Sequence, residues 1–129
     1  MTQHIAAINL YVHNQQQALD FFSQVLSFVV TDDETAPDGH RWLTVSTNSE
    51  HALKVIIAHA ATEQQKAIVG KQAGDGVFAI LQVDDFDASY AKLAKQGVRF
   101  CEAPREEPYG KVVIFEDIVG NKWDLIELN

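Results

Sequence analysis

The sequence lacks several features that would assign a chain to a class at once. Cys101 is the only cysteine among 129 residues, which excludes an internal disulfide and a cysteine metal cluster. No apolar run approaches the roughly 18 residues of a membrane-spanning helix, and the N-terminus lacks the basic region of a secretory signal peptide. The length fits one domain. These features predict a single-domain cytoplasmic protein with no membrane partner.

Positive charge is also scarce, with 10 Lys and Arg against 18 Asp and Glu and a formal net charge of −8. Nucleic acids and anionic membranes attract basic surfaces, so neither is an expected partner. The charge balance favours a cationic ligand instead. The sequence also lacks a G-x-S-x-G motif, a phosphate-binding loop and a Cys/His dyad. Catalysis by these familiar arrangements is therefore not expected.

The first half of the chain predicts one strand, one helix and three further strands. Its first strand, 5–12, has apolar residues at every even position. Asn14 is a good helix N-cap, with Gln17 at the capping-box position, and apolar residues then recur at helical spacing. The three further strands are predicted at 28–31, 40–46 and 52–59, and the turn-rich stretch 32–39 separates the first two.

The second half repeats this plan. A strand is predicted at 77–83, followed by a helix capped by Asp84 or Asp85 and ended by Gly97. The remaining strands are predicted near 98–102, 111–115 and 122–128. Val12 and Val83 correspond by an offset of 71. Such self-similarity indicates duplicated modules, with module one at 1–60, a linker at 61–75 that holds at most a short helix capped by Thr62, and module two at 76–129.

The fold class predicted from this pattern is α+β. A four-stranded sheet with one helix covers only one of its faces well. Two such βαβββ modules can form an open barrel that contains a ligand cavity. The predicted cavity-lining side chains alternate along the first strand of each module, namely Ile5, Ala7, Asn9 and Tyr11, and Phe78, Ile80 and Gln82.

Four stretches of the chain resemble the glyoxalase / bleomycin-resistance / extradiol-dioxygenase superfamily, whose members are also called vicinal oxygen chelate proteins. They are N-L-Y-V-H-N-Q-Q-Q-A-L-D-F-F-S-Q-V-L-S-F, G-H-R-W-L-T-V, L-Q-V-D-D-F-D-A-S-Y-A-K-L-A-K-Q-G-V-R-F and P-Y-G-K-V-V-I-F-E-D-I-V-G-N-K-W-D-L-I-E. The resemblance implies the paired-module fold and a homodimer. It leaves the reaction open, because the superfamily includes isomerases, lyases, dioxygenases, thiol transferases and drug-sequestering proteins.

The resemblance also implies where a metal would bind. Metal-using members take ligands from the first and fourth strands of each module, and the corresponding residues here are Ala7, Lys54, Phe78 and Asp124. A methyl, a benzyl and an ammonium group have no lone pair to donate. The sequence therefore predicts no metal cofactor, and it suggests that Lys54 and Asp124 pair in its place, directly or through a ligand. A displaced site built from histidines, with His40 the best placed, stays open, although none of His4, His13, His40, His51 and His59 has metal-like spacing.

The leading functional prediction is a protein of the bleomycin-resistance type that binds a small aromatic or cationic molecule without a metal. A metal-dependent lyase or dioxygenase of the same superfamily with a displaced site is one alternative, and a non-catalytic dimeric module is another. The predicted ligand-binding residues are Asn9, Tyr11, Trp42, Lys54, Phe78, Gln82, Tyr109 and Asp124.

Overall fold

The structure is a computed structural model that describes residues 2–50 and 52–129. It divides into two compact units, with the division between Val69 and Gly70. Their elements, in chain order, are β1 (Ala7–Val12), α1 (Gln15–Asp20), β2 (Val29–Thr35), β3 (Arg41–Ser46), β4 (Lys54–His59) and α2 (Glu63–Ile68), then β5 (Val77–Gln82), α3 (Phe86–Lys95), β6 (Arg105–Glu107), β7 (Gly110–Glu116) and β8 (Lys122–Leu128).

Each unit holds one mixed four-stranded sheet, and the two sheets share one topology. The strand orders are β1-β4-β3-β2 and β5-β8-β7-β6. In each sheet the first strand runs parallel to the last, and the other pairs are antiparallel. The predicted α+β class and the duplicated βαβββ plan are confirmed. No helix among the described residues is long and apolar enough to cross a membrane.

The first helix begins as its sequence predicts. Asn14 is the N-cap, and its side chain accepts a hydrogen bond from the backbone N–H of Gln17 at 2.9 Å. After α1 the chain continues into a π-helical turn, Phe21–Val25. This wider turn lets two consecutive aromatic rings enter the core, since Phe21 and Phe22 are both buried and lie edge to face at 5.5 Å.

The helix of the second unit is held at both ends. Asp85 is the N-cap of α3 and accepts from the N–H of Ala88 at 3.1 Å. The N–H of Phe86 donates to Glu127 on β8 at 2.8 Å, which ties the start of the helix to its sheet. Gly97 follows the helix with a φ of 81°, a left-handed conformation that suits glycine. The predicted caps at both ends are therefore confirmed.

Three predicted boundaries need correction. The stretch 32–39 is not all turn, because β2 continues to Thr35, where Asp33 and Arg41 form a side-chain ion pair at 2.8 Å. The strand predicted near 98–102 is reduced to one isolated bridge from Phe100 to Phe115. The edge strand is β6 instead, and the segment read mainly as linker contains α2 with a full capping box.

The turn between β7 and β8 is built around one buried carboxylate. Asp117 Oδ1 accepts hydrogen bonds from the backbone N–H groups of Val119, Gly120 and Asn121 at 2.9 to 3.1 Å. Its Oδ2 accepts from the indole N–H of Trp123 at 3.0 Å. Trp123 is 3% exposed and belongs to the core. Burial raises the pKa of Asp117, although its hydrogen bonds act in the opposite direction.

Candidate functional site

Each sheet has one face that carries the buried core and one open face. In the first sheet Asn9 pairs with Ile56, Ile56 with Thr44, and Thr44 with Asp32. Paired residues of neighbouring strands point to the same side, so these four form a row across the open face. The alternate positions carry the core, as in Leu10, which is 0% exposed.

A polar cluster organises this open face. Asp32 Oδ2 accepts hydrogen bonds from the Thr44 hydroxyl at 2.6 Å and from the Lys54 ammonium at 3.0 Å. The Thr44 hydroxyl also bonds that of Thr31, and the nearby Trp42 side chain makes a small further contribution that lowers the pKa of Asp32. Thr44 and Lys54, in that order, are the main causes that hold the pKa of Asp32 below its ordinary value. We call these five residues the Asp32 cluster.

Aromatic and amide side chains lie beside the Asp32 cluster. Trp42 belongs to the cluster and is 43% exposed. Tyr11 lies two residues beyond Asn9 on β1, hence on the same face, and its hydroxyl accepts from Gln65 of α2 at 3.4 Å. Asn9 is exposed on that face. Four of the predicted ligand-binding residues thus share one surface, namely Asn9, Tyr11, Trp42 and Lys54.

The open face of the second sheet has an equivalent row of different character. Ile80 pairs with Asp124, and Asp124 with Ile114. Within the described part of the chain no hydrogen bond or ion pair engages the Asp124 carboxylate. Desolvation by burial raises the pKa of Asp124; the nearby Arg105 lowers it, and Glu102 raises it further.

The other predicted residues of the second unit are dispersed. Gln82 is exposed and pairs with Ile126, two residues beyond Asp124 on the same face. Phe78 falls at a register shift between Val77 and Ala79, and its ring lies 5.6 Å from that of Trp123. Tyr109 is 50% exposed in the turn that precedes β7. Phe78 therefore packs on a core residue, although the alternation of β5 had placed it with Ile80.

The sequence suggested Asp124 as the partner of Lys54, and the structure gives Lys54 a different partner, Asp32. The register also corrects the assumed equivalence of Lys54 and Asp124. Asp124 pairs with Ile114 on β7, two residues along from the pair of Glu116 and Lys122. The residue at the matching position of β4 is Ile56, which pairs with Thr44 on β3. An isoleucine has no donor atom, so this place is as unsuited to a metal as Ala7.

Histidine does not change this picture within the described residues. Across 2–50 and 52–129, no group of three or more His, Cys, Asp or Glu side chains is arranged to hold a metal ion. His40 is exposed immediately before β3, and its backbone N–H donates to the Asp38 carboxylate at 2.9 Å. His51 lies outside the described residues. The residues at the places implied by the resemblance do not fit a divalent ion.

Asp32 is the site residue that sequence reasoning missed. It was assigned to a turn because Asp, Pro and Gly residues crowd 32–39. A usable signal was present in the next strand, where Trp42, Thr44 and Ser46 alternate with Leu43 and Val45. A polar alternate face on β3 requires polar partners on its antiparallel neighbour, and Asp32 is the residue that supplies them.

Comparisons with known proteins agree on one family. A sequence model of the family described as "Glyoxalase/Bleomycin resistance protein/Dioxygenase superfamily" matches residues 3–125. An uncharacterized protein of Shewanella frigidimarina (strain NCIMB 400) is 37% identical, covering 100% of this chain and 96% of its own. The uncharacterized protein YetH of Bacillus subtilis (strain 168) is 27% identical, covering 98% of this chain and 100% of its own.

Solved structures show the same fold. The crystal structure of UcmS2 has a TM-score of 0.84 at 25% identity, covering 98% of each chain. TnmS3, described as an antibiotic binding protein from Streptomyces sp. CB03234, has a TM-score of 0.77 at 24% identity, covering 99% of this chain and 98% of its own.

Proposed function

The chain belongs to the Glyoxalase/Bleomycin resistance protein/Dioxygenase superfamily, and on that premise we propose that it binds a small aromatic or cationic molecule without a metal ion. The observation that carries the proposal is the open face of the first sheet. There the exposed Trp42 and the phenol of Tyr11 border a polar cluster whose side chains are fixed by one another. Aromatic walls with a few placed polar groups are typical of small-molecule sites.

The metal-free part of the proposal rests on donor chemistry. Divalent ions in proteins are held by thiolate, imidazole and oxygen ligands, usually three or more of them. Ala7, Phe78 and Ile56 supply none, and Asp124 supplies one carboxylate. The fold likeness to TnmS3, itself described as an antibiotic binding protein, supports a binding role. We also expect a homodimer, which sedimentation equilibrium will test.

Binding is tested by thermal shift and tryptophan fluorescence, with a panel of planar aromatic compounds in neutral and cationic forms. A compound that binds the native state raises Tm in proportion to the logarithm of its concentration. Quenching should come from Trp42, because Trp123 is 3% exposed. Trp42→Ala should weaken binding about tenfold through loss of aromatic contact. Ile118→Ala removes a side chain of similar exposure, 42%, and should leave affinity unchanged.

Two outcomes would overturn the proposal. One is a panel in which no compound shifts Tm, or in which Trp42→Ala and Ile118→Ala bind alike. The other is metal analysis of protein purified without chelator that finds one equivalent of zinc, nickel, iron or manganese, removable only with loss of binding. That second result would favour a metal-dependent lyase or dioxygenase, for which Asp124 is the available carboxylate.

A further inference from the structure

The charges of the Asp32 cluster are unequally available to a ligand. Asp32 Oδ2 already accepts hydrogen bonds from Thr44 and Lys54 at 2.6 and 3.0 Å. A cationic ligand would have to displace Lys54 from this carboxylate. Asp32 therefore holds the side chains of the cluster in place, and it is poorly suited to bind a cationic ligand.

Lys54 is in the opposite position. An ammonium group has three donor N–H bonds, and among the described residues Asp32 is the group that takes one of them. The Lys54 side chain remains 47% exposed. Its neighbour on β1 is Ala7, whose methyl group leaves that flank open. The residue thus presents an oriented cation with spare donors to the solvent side of the sheet.

Lys54 also stands at a useful place on the surface. Its ammonium bonds Asp32 from β4, and Trp42 on β3 lies two residues from Thr44, the cross-strand partner of Asp32. Ile56, two residues from Lys54 on the same face, is an apolar side chain in the row between Asn9 and Thr44. A cation, an apolar side chain and an aromatic ring therefore share this part of the open face before any ligand binds.

We propose that Lys54 recognises the anionic oxygen of a planar aromatic ligand whose ring lies over Ile56 beside Trp42. The ligand class is an aromatic acid, such as a carboxylate, sulfonate or phenolate. This inference rests on the proposed function and narrows it. Because Asp32 already orients Lys54, binding loses less side-chain freedom than it would on a mobile lysine. An ammonium–oxyanion contact is a charge-assisted hydrogen bond, stronger than a neutral one.

The net charge of −8 does not prevent such binding. At physiological ionic strength, charges further apart than about 8 Å are largely screened. The contact between an oxyanion and Lys54 is far shorter than that distance. The overall acidity slows the approach of an anion and leaves the local contact intact.

The test uses two fluorescent probes that differ in one charged group, anilinonaphthalene sulfonate and neutral phenylnaphthylamine. The native protein should bind the sulfonate at least about tenfold more tightly, the ratio expected for one charge-assisted hydrogen bond. Lys54→Met keeps the stem and removes the charge, and it should bring the ratio of the two affinities, sulfonate to phenylnaphthylamine, close to one. Lys111→Met is the matched control, since Lys111 also pairs with a carboxylate, Asp87 at 3.4 Å, and its side chain is 40% exposed.

Each outcome bears on the inference. If Lys54→Met and Lys111→Met reduce sulfonate binding equally, or neither does, the inference is wrong. If phenylnaphthylamine binds in a Trp42-dependent way and the sulfonate gains nothing, the proposed function stands and the assignment of an aromatic acid falls. If neither probe binds, the assignment of an aromatic acid falls, and the panel of aromatic compounds decides the proposed function. Circular dichroism of Lys54→Met, matched to the native spectrum, shows that an observed loss is not a folding defect.

Discussion

The two units share a topology and use their carboxylates differently. On the open face of the first sheet, Asp32 is satisfied by Thr44 and Lys54, and its pKa is lowered. On the matching face of the second sheet, Asp124 lies between Ile80 and Ile114, and its pKa is raised. The same backbone plan thus carries Asp32, whose neighbours favour the ionised carboxylate, and Asp124, whose surroundings disfavour it.

Turn carboxylates differ as well, although these two turns are not equivalent in the shared plan, since Asp38 lies between β2 and β3 and Asp117 lies between β7 and β8. In the first unit Asp38 is an exposed turn residue that accepts one backbone hydrogen bond, from His40 at 2.9 Å. In the second unit Asp117 is buried and serves four donors. The first unit places its organised carboxylate on the sheet face, and the second places it in a turn. The duplicated plan determines strand order, while individual side chains determine where each unit places its hydrogen-bonded carboxylate.

The largest predicted effect concerns the turns. Asp117→Ala removes the side-chain acceptor of three backbone N–H groups and of a buried indole N–H, although the Gly120 N–H keeps its bond to the backbone carbonyl of residue 117, and it should lower the free energy of unfolding by about 3 kcal/mol. Asp38→Ala removes one exposed bond and should cost less than about 1 kcal/mol. Urea denaturation of both variants measures the difference. Equal losses would show that the two turns are not energetically distinct.

A smaller effect is expected on the first sheet face. Thr44 is 0% exposed, and its hydroxyl donates to Asp32. Thr44→Val preserves shape but removes that donor, and should cost about 1 to 2 kcal/mol of unfolding free energy. Thr47→Val, which removes a hydroxyl bonded to Ser49 at the surface, should change stability by less than about 0.5 kcal/mol. A neutral Thr44→Val would mean that the cluster is not fixed by this bond.

The smallest effects, of opposite sign, concern the two sheet-face carboxylates. A lowered folded pKa gives Asp32 a stabilising contribution that is present above the unfolded carboxyl pKa and is lost as pH falls through the folded one. Asp32→Asn should therefore lower Tm near neutral pH, and the difference from the native protein should shrink in acid. The raised pKa of Asp124 acts the other way, because its favourable contribution is lost as pH rises through the folded pKa.

Asp124→Asn should accordingly be neutral or slightly stabilising near neutral pH, by no more than about 0.5 kcal/mol. Its advantage over the native protein should disappear in acid, where Asp124 is protonated anyway. Thermal melts of both asparagine variants across the acidic range test the two signs together. Parallel curves for Asp32→Asn and Asp124→Asn would contradict the contrast between the two faces.

Local patterns in the sequence predicted much of the fold. The alternation of β1, the N-caps Asn14 and Asp85, and Gly97 after α3 are short-range features that depend on neighbouring residues alone. They gave the βαβββ repeat and placed Asn9, Tyr11, Trp42 and Lys54 on sheet strands, where the structure finds them on one face.

The remaining details depend on register, which a single sequence does not reveal. The ladder shifts between Val30 and Asp32 and between Val77 and Ala79, and each such irregularity changes which side chains share a face. The shift in β5 accounts for the position of Phe78 against Trp123, whereas the turn-like composition of 32–39 concealed Asp32 as the partner of Lys54. The ligand-binding role of the predicted residues remains a prediction, which the binding experiments address.

The Asp117 turn has a further consequence for how the second unit opens. The amide protons of Val119 and Asn121 and the indole proton of Trp123 bond this one carboxylate, while the N–H of Gly120 also donates to the backbone carbonyl of Asp117 at 3.1 Å. In deuterated solvent the protons of Val119, Asn121 and Trp123 should exchange at a common opening rate, as members of one cooperative segment do. Hydrogen exchange at this turn would therefore report the rate of local opening of this unit, residue by residue and without an added label.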